Sequence, residues 1–252
     1  MNSKTPLIFL VLALSLATSM ACGDDAKEAA DAGDGTVTIK VYGESFIEDG
    51  IPADAMADGW AVTFDSFVLS INEVKVGDVE VDSPNTVDLA VESDGTGHIL
   101  ASATVPAGDH VGPGYNVKSI NLTGSATKDG TTKTFAWTFD SATHYTDCDT
   151  TTKVAKDEDA TFEITIHADH LFSDSLVSHD PALRFQSLAD ADTDDDGEVT
   201  QAELEAADLG SYDPGSDGHV EDLWGFLSAQ SKSLGHADGE GHCSTHSHDH
   251  AH

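Results

Sequence analysis

Short runs of alternating apolar and polar residues extend from Thr36 to about His167, with turn-forming residues between them. This alternation puts every second side chain on one face of an extended chain, which is typical of a half-buried strand. We therefore predict a strand from Thr36 to about Val41, two or three strands between Trp60 and Val81, and further strands over residues 86–91, 98–105, 115–127, 131–140 and 160–167. Many short strands joined by regular turns favour an antiparallel sandwich or barrel, so the predicted fold class is mainly β.

Two segments between these strands have the composition of tight hairpin turns. Gly77-Asp78 separates two apolar runs, and Lys128-Asp129-Gly130 separates two others. Glycine and aspartate favour the left-handed backbone that such turns need. The sequence has no alternating strand–helix pattern with a glycine-rich turn, so nothing in it favours a Rossmann-type domain.

Beyond His170 the pattern changes to one that is compatible with helices. Pro181–Ala189 opens with a proline, which is common at a helix N-terminus, and its apolar residues lie near one face. Val220–Leu227 also carries apolar residues at helical spacing. The predicted layout is a β-domain followed by a small C-terminal α-helical unit.

The segment Asp192–Glu203 has acidic residues at alternate positions, then a glycine, an apolar residue and a final glutamate. It resembles the EF-hand calcium-binding loop, and the resemblance covers about Ala182 to Leu209. Calcium takes six to eight oxygen ligands, which such a loop wraps around the ion. The resemblance implies that Ca²⁺ is bound by the side chains of Asp192, Asp194, Asp196 and Glu203 and by the backbone carbonyl of Glu198, with Thr200 acting directly or through water.

The alternative for this segment is a solvated acidic run, which is common in acidic chains. Acidity alone does not place Gly197, Val199 and Glu203 at their EF-hand positions. A second segment, Asp213–Val220, repeats part of the motif but lacks two ligands, because Gly215 and Trp224 occupy ligand positions. It is interpreted either as a supporting loop in which Val220 can pair with Val199, or as a simple Gly/Asp turn.

The N-terminal residues have the pattern of an export signal. Lys4 precedes an apolar run from Pro6 to Ala17, and small residues lead to Cys22. Ala21-Cys22 resembles the lipobox of bacterial lipoproteins, which implies that Cys22 is lipidated and anchors the chain to a membrane of the bacterial cell envelope, at the outer membrane or the periplasmic face. The alternative is an ordinary signal peptide that leaves Cys22 free. Residues 23–35 have almost nothing to bury, so we expect a disordered tether.

The chain has 46 acidic and 11 basic residues and a formal charge of −35. Such a surface repels phosphate groups, so a nucleic-acid partner is excluded as far as composition decides it. The same charge opposes compaction unless cations bind or screen the carboxylates, and calcium is one such cation.

The three cysteines allow one internal disulfide if Cys22 carries lipid. Cys148 and Cys243 are then left in an oxidising compartment, and we expect them to be bridged. The bridge would hold the C-terminal segment against the middle of the chain.

Thirteen histidines are present, and they suggest a transition-metal site. Imidazole suits Cu²⁺, Zn²⁺ and Ni²⁺, and alternating histidines in an extended tail present their rings on one side. The alternatives are a solubilising tail with adventitious affinity and, at the strand end, hydrogen-bonded packing histidines. The candidate ligands are His167, Asp169, His170, His242, His246, His248, His250 and His252.

Together these patterns predict a signal peptide (1–21), a tether (22–35), a β-sandwich-like domain (36–170), an EF-hand-like unit (171–235) and a His-rich flexible tail (236–252).

No nucleophile elbow, HExxH helix or phosphate loop is present. The hypothesis that follows is a non-enzymatic envelope lipoprotein with structural calcium. Its alternatives are a transition-metal handling protein and, with no specific support, a metal-dependent hydrolase. A β-sandwich partner such as a carbohydrate or an envelope protein would rest on fold analogy alone.

Overall fold

The computed structural model describes residues 33–81, 85–140, 142–216 and 218–247. These residues are mainly β, as predicted. The strands are β1 (Asp34–Tyr42), β2 (Ala61–Val76), β3 (Val79–Val81), β4 (Asn85–Asp88), β5 (His98–Pro106), β6 (Gly108–Val111), β7 (Gly114–Lys128), β8 (Thr131–Phe139), β9 (Thr143–Thr146), β10 (Thr151–Val154), β11 (Asp159–Ile166), β12 (Glu198–Val199), β13 (Gly235–Ala237) and β14 (Ser244–Ser247). The helices are α1 (Glu44–Glu48), α2 (Gln186–Ala189), α3 (Gln201–Ala206) and α4 (Leu223–Gln230), with 3-10 turns at Ala168–Phe172 and Ser231–Ser233.

The larger sheet has eight strands and is built around two long ones, β2 and β7. Its main order is β12-β8-β7-β2-β3, while β4 pairs with β2 and the β9–β14 pair joins through β7. The β2–β7 ladder runs from Ala61↔Thr127 to Lys75↔Gly114 and contains three register irregularities. Such bulges increase the local twist of long strands.

The smaller sheet has the order β13-β11-β1-β5 and is mixed. Its β1 and β11 strands run parallel, from Thr36↔Asp159 to Tyr42↔Thr165, whereas β1–β5 and β11–β13 are antiparallel. The predicted antiparallel arrangement is therefore corrected at this pair, while the mainly β class is confirmed. Parallel neighbours need a long crossover, and here most of the β-rich chain lies between the two strands.

Both predicted hairpin turns are confirmed. Gly77-Asp78 connects β2 to β3, and Asp129-Gly130 connects β7 to β8. Asp129 and Gly130 have φ values of 50° and 82°, which is the left-handed pair that a type I′ hairpin requires.

One hydrophobic core contains residues from both sheets and from the C-terminal helices. Ile39 and Phe162 from the smaller sheet, Phe67 and Trp137 from the larger sheet, and Phe226 from α4 are all at most 1% exposed. Alternating burial along β1 and β8 confirms that period-two patterning identified the inward faces.

The helical prediction is confirmed only in part. A helix is present at Leu223–Gln230, but the helix predicted from Pro181 begins only at Gln186. Residues 181–185 are not helical, and Leu183 forms an isolated antiparallel bridge with Ser173. Tertiary pairing with the preceding segment thus overrides the local proline signal.

The predicted disulfide between Cys148 and Cys243 is present, with a sequence separation of 95 residues. Beyond it, β14 pairs with β9 from Ser244↔Thr146 to Ser247↔Thr143. The segment that was predicted to be a flexible tail therefore begins with ordered strands, whereas Cys22 and residues 248–252 lie outside the described residues. No helix in the described part of the chain is both long and apolar enough to span a bilayer.

We predict that replacing both Cys148 and Cys243 with serine lowers the free energy of unfolding by about 2–5 kcal/mol, because the unfolded chain regains the entropy of a long loop. Urea unfolding followed by tryptophan fluorescence measures the difference. Reducing agent should shift the wild-type midpoint in the same way and leave the double variant unchanged. Equal midpoints for the two oxidised proteins would contradict the prediction.

Candidate metal centres

The acidic loop Asp192–Glu203 is held against the edge of the larger sheet. Val199 is fully buried, and β12 pairs in parallel with Thr134 and Phe135 of β8. The Thr134 backbone N–H donates to the Gly197 carbonyl at 2.8 Å, and Trp137 Nε1 donates to the Val199 carbonyl at 2.8 Å. The alternative pairing of Val199 with Val220 was wrong, because β8 takes that position.

Backbone N–H groups inside the loop are hydrogen-bonded by its own aspartates. Asp194 Oδ1 accepts from Asp196 N at 3.2 Å, and Asp196 Oδ1 accepts from Glu198 N at 2.8 Å. Asp195 and Gly197 have φ values of 60° and 89°. The side-chain hydrogen bonds and the two left-handed residues turn the backbone tightly. The φ of 89° at Gly197 is one that only glycine adopts without strain.

Three of the predicted calcium ligands converge. Asp192, Asp194 and Glu203 each offer one carboxylate oxygen, and these oxygens lie within 4.8 Å of one another. Asp192 is only 5% exposed, and its Oδ1 atom is buried without a hydrogen-bond partner. A buried carboxylate oxygen without a partner is costly, so this group needs a cation or another donor. The other two predicted ligands lie along the same loop. Asp196 accepts a hydrogen bond from the Glu198 backbone N–H, and Glu198 is the first residue of β12.

Glu203 also closes the first turn of α3. Its Oε2 accepts from the backbone N–H and hydroxyl of Thr200 at 3.0 and 2.8 Å, while Thr200 Oγ1 accepts from Glu203 N at 3.3 Å. This reciprocal arrangement is a capping box. Hydrogen bonds from Thr200 and from the Thr193 N–H hold the pKa of the Glu203 carboxyl below its usual range, against the opposing effect of burial.

Lys133 of β8 is the cation nearest to the loop's first residue. Its Nζ atom donates to Asp192 Oδ2, which also accepts from Gly197 N at 2.9 Å. The Lys133 hydrogen bond holds the pKa of the Asp192 carboxyl below its usual range, and the same bond raises the pKa of the Lys133 ammonium. The Oδ1 atom on the other side of the carboxylate remains without a donor.

In its described residues, the second loop keeps a turn but shows no comparable convergence of ligand atoms. Asp213 Oδ1 accepts from Gly215 N at 2.9 Å, and Asp213 forms a bridge with Ser175. Asp217 lies outside the described residues. In the described part of this segment, the geometry is that of the simple Gly/Asp turn.

Four histidines gather at one end of the smaller sheet. His167 directly follows β11, His170 lies in the 3-10 turn, His236 is in β13, and His242 follows a turn after β13. The ring centroid of His236 is 4.4 Å from that of His167, 5.2 Å from that of His170 and 5.2 Å from that of His242. The centroids of His167 and His170 are 5.3 Å apart. The β11–β13 pairing places Thr165 opposite His236, which brings these rings together.

Acidic residues surround this histidine cluster. Ligand atoms of His167, Asp169 and His170 lie within 4.8 Å of one another, and so do those of His167, His236 and Glu240. Burial, followed by the neighbouring imidazoles, lowers the pKa of His236 to about 4. His236 is therefore neutral near pH 7, the form in which imidazole binds metals.

Sequence reasoning found His167, Asp169, His170 and His242 but missed His236 and Glu240. No spacing relates Leu234-Gly235-His236 to the strand-end histidines, because the contact depends on the antiparallel β11–β13 pairing. Of the predicted tail ligands, His246 has its backbone in β14, paired with His144, while His248, His250 and His252 lie outside the described residues.

No protein-family model, curated protein or solved structure matches the chain.

We predict that Thr200→Ala lowers the free energy of unfolding by about 1 kcal/mol, because α3 loses its N-cap side chain. Thr200→Ser keeps the hydroxyl and should restore most of the loss. Urea unfolding in the presence of a chelator measures both variants without any contribution from metal. An alanine variant as stable as the serine variant would show that the capping box does not stabilise the loop.

Proposed function

We propose that this protein is a calcium-binding, lipid-anchored protein of the bacterial cell envelope, in which calcium has a structural role and no reaction is catalysed. The proposal rests on two observations: carboxylate oxygens of Asp192, Asp194 and Glu203 converge, and Asp192 Oδ1 is buried without a hydrogen-bond partner. Hard carboxylate oxygens are the ligands that calcium prefers.

In this proposal residues 171–235 form an EF-hand-like unit. The carboxylates of Asp192, Asp194, Asp196 and Glu203 and the carbonyl of Glu198 hold the ion, which supplies positive charge to a loop rich in negative charge. Gly197 allows the turn that follows Asp196. The flanking helices α2 and α3 are short, with four and six residues.

A structural role, and not that of a sensor, follows from where the loop is attached. Sensor EF-hands work in pairs and expose a Met-rich groove when calcium binds. Here the short strand of the loop is hydrogen-bonded to β8, and Val199 is buried beside it. Met56, the only methionine outside the predicted signal segment, is 3% exposed in the core. Calcium would therefore fix the loop and α3 to the sheet edge.

The envelope location rests on the sequence and on the disulfide. The export signal, the lipobox-like Ala21-Cys22 and the acidic tether support an exported, lipid-anchored chain. The Cys148–Cys243 bridge supports it as well, since structural disulfides persist in oxidising compartments.

We predict that millimolar calcium raises the melting temperature of the protein, because an ion that binds only the native state stabilises it by about 2.7 kcal/mol at a concentration 100 times its Kd. Glu203→Gln should abolish most of this increase. Differential scanning calorimetry with and without chelator measures it, and calcium titration gives the stoichiometry.

Asp195→Asn is the matched control for this experiment. It removes one charge from the same loop at a position that supplies no ligand in the EF-hand pattern, and asparagine tolerates the left-handed φ of 60° at this residue. The control should keep the calcium-dependent increase. A wild-type melting curve that is indifferent to calcium, or an equal loss in both variants, would refute the proposal.

We further predict that Lys133→Met tightens calcium binding by about 3- to 10-fold, because a divalent ion near Asp192 is repelled by the adjacent ammonium group. Isothermal titration at low ionic strength measures the change. Lys153→Met, at an exposed position of β10 in the separate two-stranded β10–β6 sheet, removes the same charge from a different sheet and should leave the Kd nearly unchanged. Weaker binding in Lys133→Met would show that Lys133 organises the loop for the ion.

A further inference from the structure

The histidine cluster is formed by two segments that are far apart along the chain. His167 and His170 follow β11, whereas His236 and His242 come from the segment that the β11–β13 pairing and the disulfide hold in place. Three of these rings have mutual centroid separations of 4.4, 5.2 and 5.3 Å. Three imidazoles bound to one tetrahedral ion have centroids about 5 Å apart, given metal–nitrogen bonds of about 2.0–2.1 Å.

The hydrogen bonds of two rings leave one nitrogen of each available. His170 Nδ1 lies 2.7 Å from the Ser233 carbonyl oxygen, which can only accept, so Nδ1 carries the proton and Nε2 has a free lone pair. His167 Nδ1 lies 3.3 Å from Glu44 Oε2, so a neutral ring in the same tautomer leaves Nε2 free. Histidines that bind metals commonly donate their other N–H to a carbonyl or carboxylate in this way.

Two nitrogens of the cluster are buried and have no partner. These atoms are His167 Nε2 and His236 Nδ1, on side chains whose residues are 6% and 4% exposed. An unsatisfied buried polar atom destabilises the fold, and simple packing does not recover that free energy. Packing histidines would be expected to use these atoms in hydrogen bonds. A ligand shared between the rings would satisfy both atoms at once.

Glu44 gives a further indication that this end of the sheet is organised around a ligand. Its φ of 50° is in the left-handed region that residues other than glycine seldom adopt. The strained backbone places its carboxylate beside His167. Strain of this kind persists where surrounding structure requires it, often at binding sites.

We infer that one divalent late transition-metal ion, Zn²⁺ or Cu²⁺, is bound by His167 Nε2, His236 Nδ1 and Glu240, the three residues whose ligand atoms lie close together. His170, whose ring centroid is 5.2 Å from that of His236, turns its Nε2 atom toward the ion as the fourth ligand, and Glu44 is a positioning residue for His167. Glu240 fits because its carboxylate lies within 4.8 Å of the ligand atoms of His167 and His236. Imidazole nitrogen selects such ions over calcium, which prefers oxygen. This site is separate from the calcium loop in its residues and in its ligand chemistry.

The experiment must first remove the contribution of the C-terminal histidines, which bind metal whatever their role. The background is the full chain with His246, His248, His250 and His252 changed to glutamine, purified without an affinity tag. Competition between this protein and a chromophoric chelator gives the Zn²⁺ and Cu²⁺ affinities, and elemental analysis gives the stoichiometry. Co²⁺ substitution gives visible absorption bands whose intensity reports tetrahedral coordination.

The expected result is one Zn²⁺ per chain with tetrahedral Co²⁺ bands. His170→Gln should weaken Zn²⁺ binding by more than about 100-fold, since it removes a ligand, and Glu44→Gln by about 10- to 100-fold, since it removes the partner of a ligand. His170 is half-buried, so its variant should fold even if His236→Gln does not. Glu44→Gln should leave the melting temperature of the metal-free protein nearly unchanged, which separates positioning from folding.

His179→Gln is the matched control, because His179 is exposed and lies outside the cluster. It should not change the affinity. Glu203→Gln should also keep full Zn²⁺ binding, so the failure of the calcium proposal and the failure of this one can be told apart. The inference is overturned if the background protein binds no Zn²⁺ or Cu²⁺, or if His170→Gln and His179→Gln bind equally well.

Discussion

The parallel pairing of β12 with the edge of β8 is the interaction on which the acidic loop depends. Two residues of the loop, Glu198 and Val199, lie opposite Thr134 and Phe135, and Trp137 adds a bond to the Val199 carbonyl. The pairing covers part of an edge strand that would otherwise expose unpaired backbone groups. It also fixes the loop beside Lys133 and sets the start of α3. Without the β12–β8 pairing, the carboxylates that converge near Asp192 would not be held in fixed positions relative to one another.

The charge balance of the chain explains why bound cations would stabilise the fold. With 46 acidic and 11 basic residues, most carboxylates have no basic partner. Within the described ranges, ion pairs join Lys133 to Asp192 and Arg184 to Asp174. The first of these two pairs lies at the acidic loop. Repulsion among the remaining carboxylates opposes the compact state, and divalent ions offset more of it per site than a lysine does.

The sequence predicted features that are encoded locally. The strand patterning, the Asp129-Gly130 turn and the acidic loop each depend on neighbours within about a dozen residues, where periodicity and turn chemistry act directly. The predictions from sequence failed where strands that are far apart along the chain pair with each other. The parallel β1–β11 ladder joins Thr36 to Asp159, and no local pattern specifies that register. His236 was missed for the same reason, and the helix expected from Pro181 gave way to a bridge between Leu183 and Ser173.

The two candidate centres would stabilise the fold in different ways. An ion in the acidic loop joins residues within one short segment. It therefore fixes a local turn and closes only a short loop of the chain, for which the entropy cost of closure is small. An ion among the histidines would join the segment that follows β11 to the β13 segment, which are far apart in sequence. The disulfide across 95 residues persists in the unfolded chain and restricts it, whereas an ion that binds only the native state stabilises the fold through its binding free energy. The histidine centre would therefore act together with the disulfide to fix the C-terminal segment, whereas the calcium loop would act on the edge of β8.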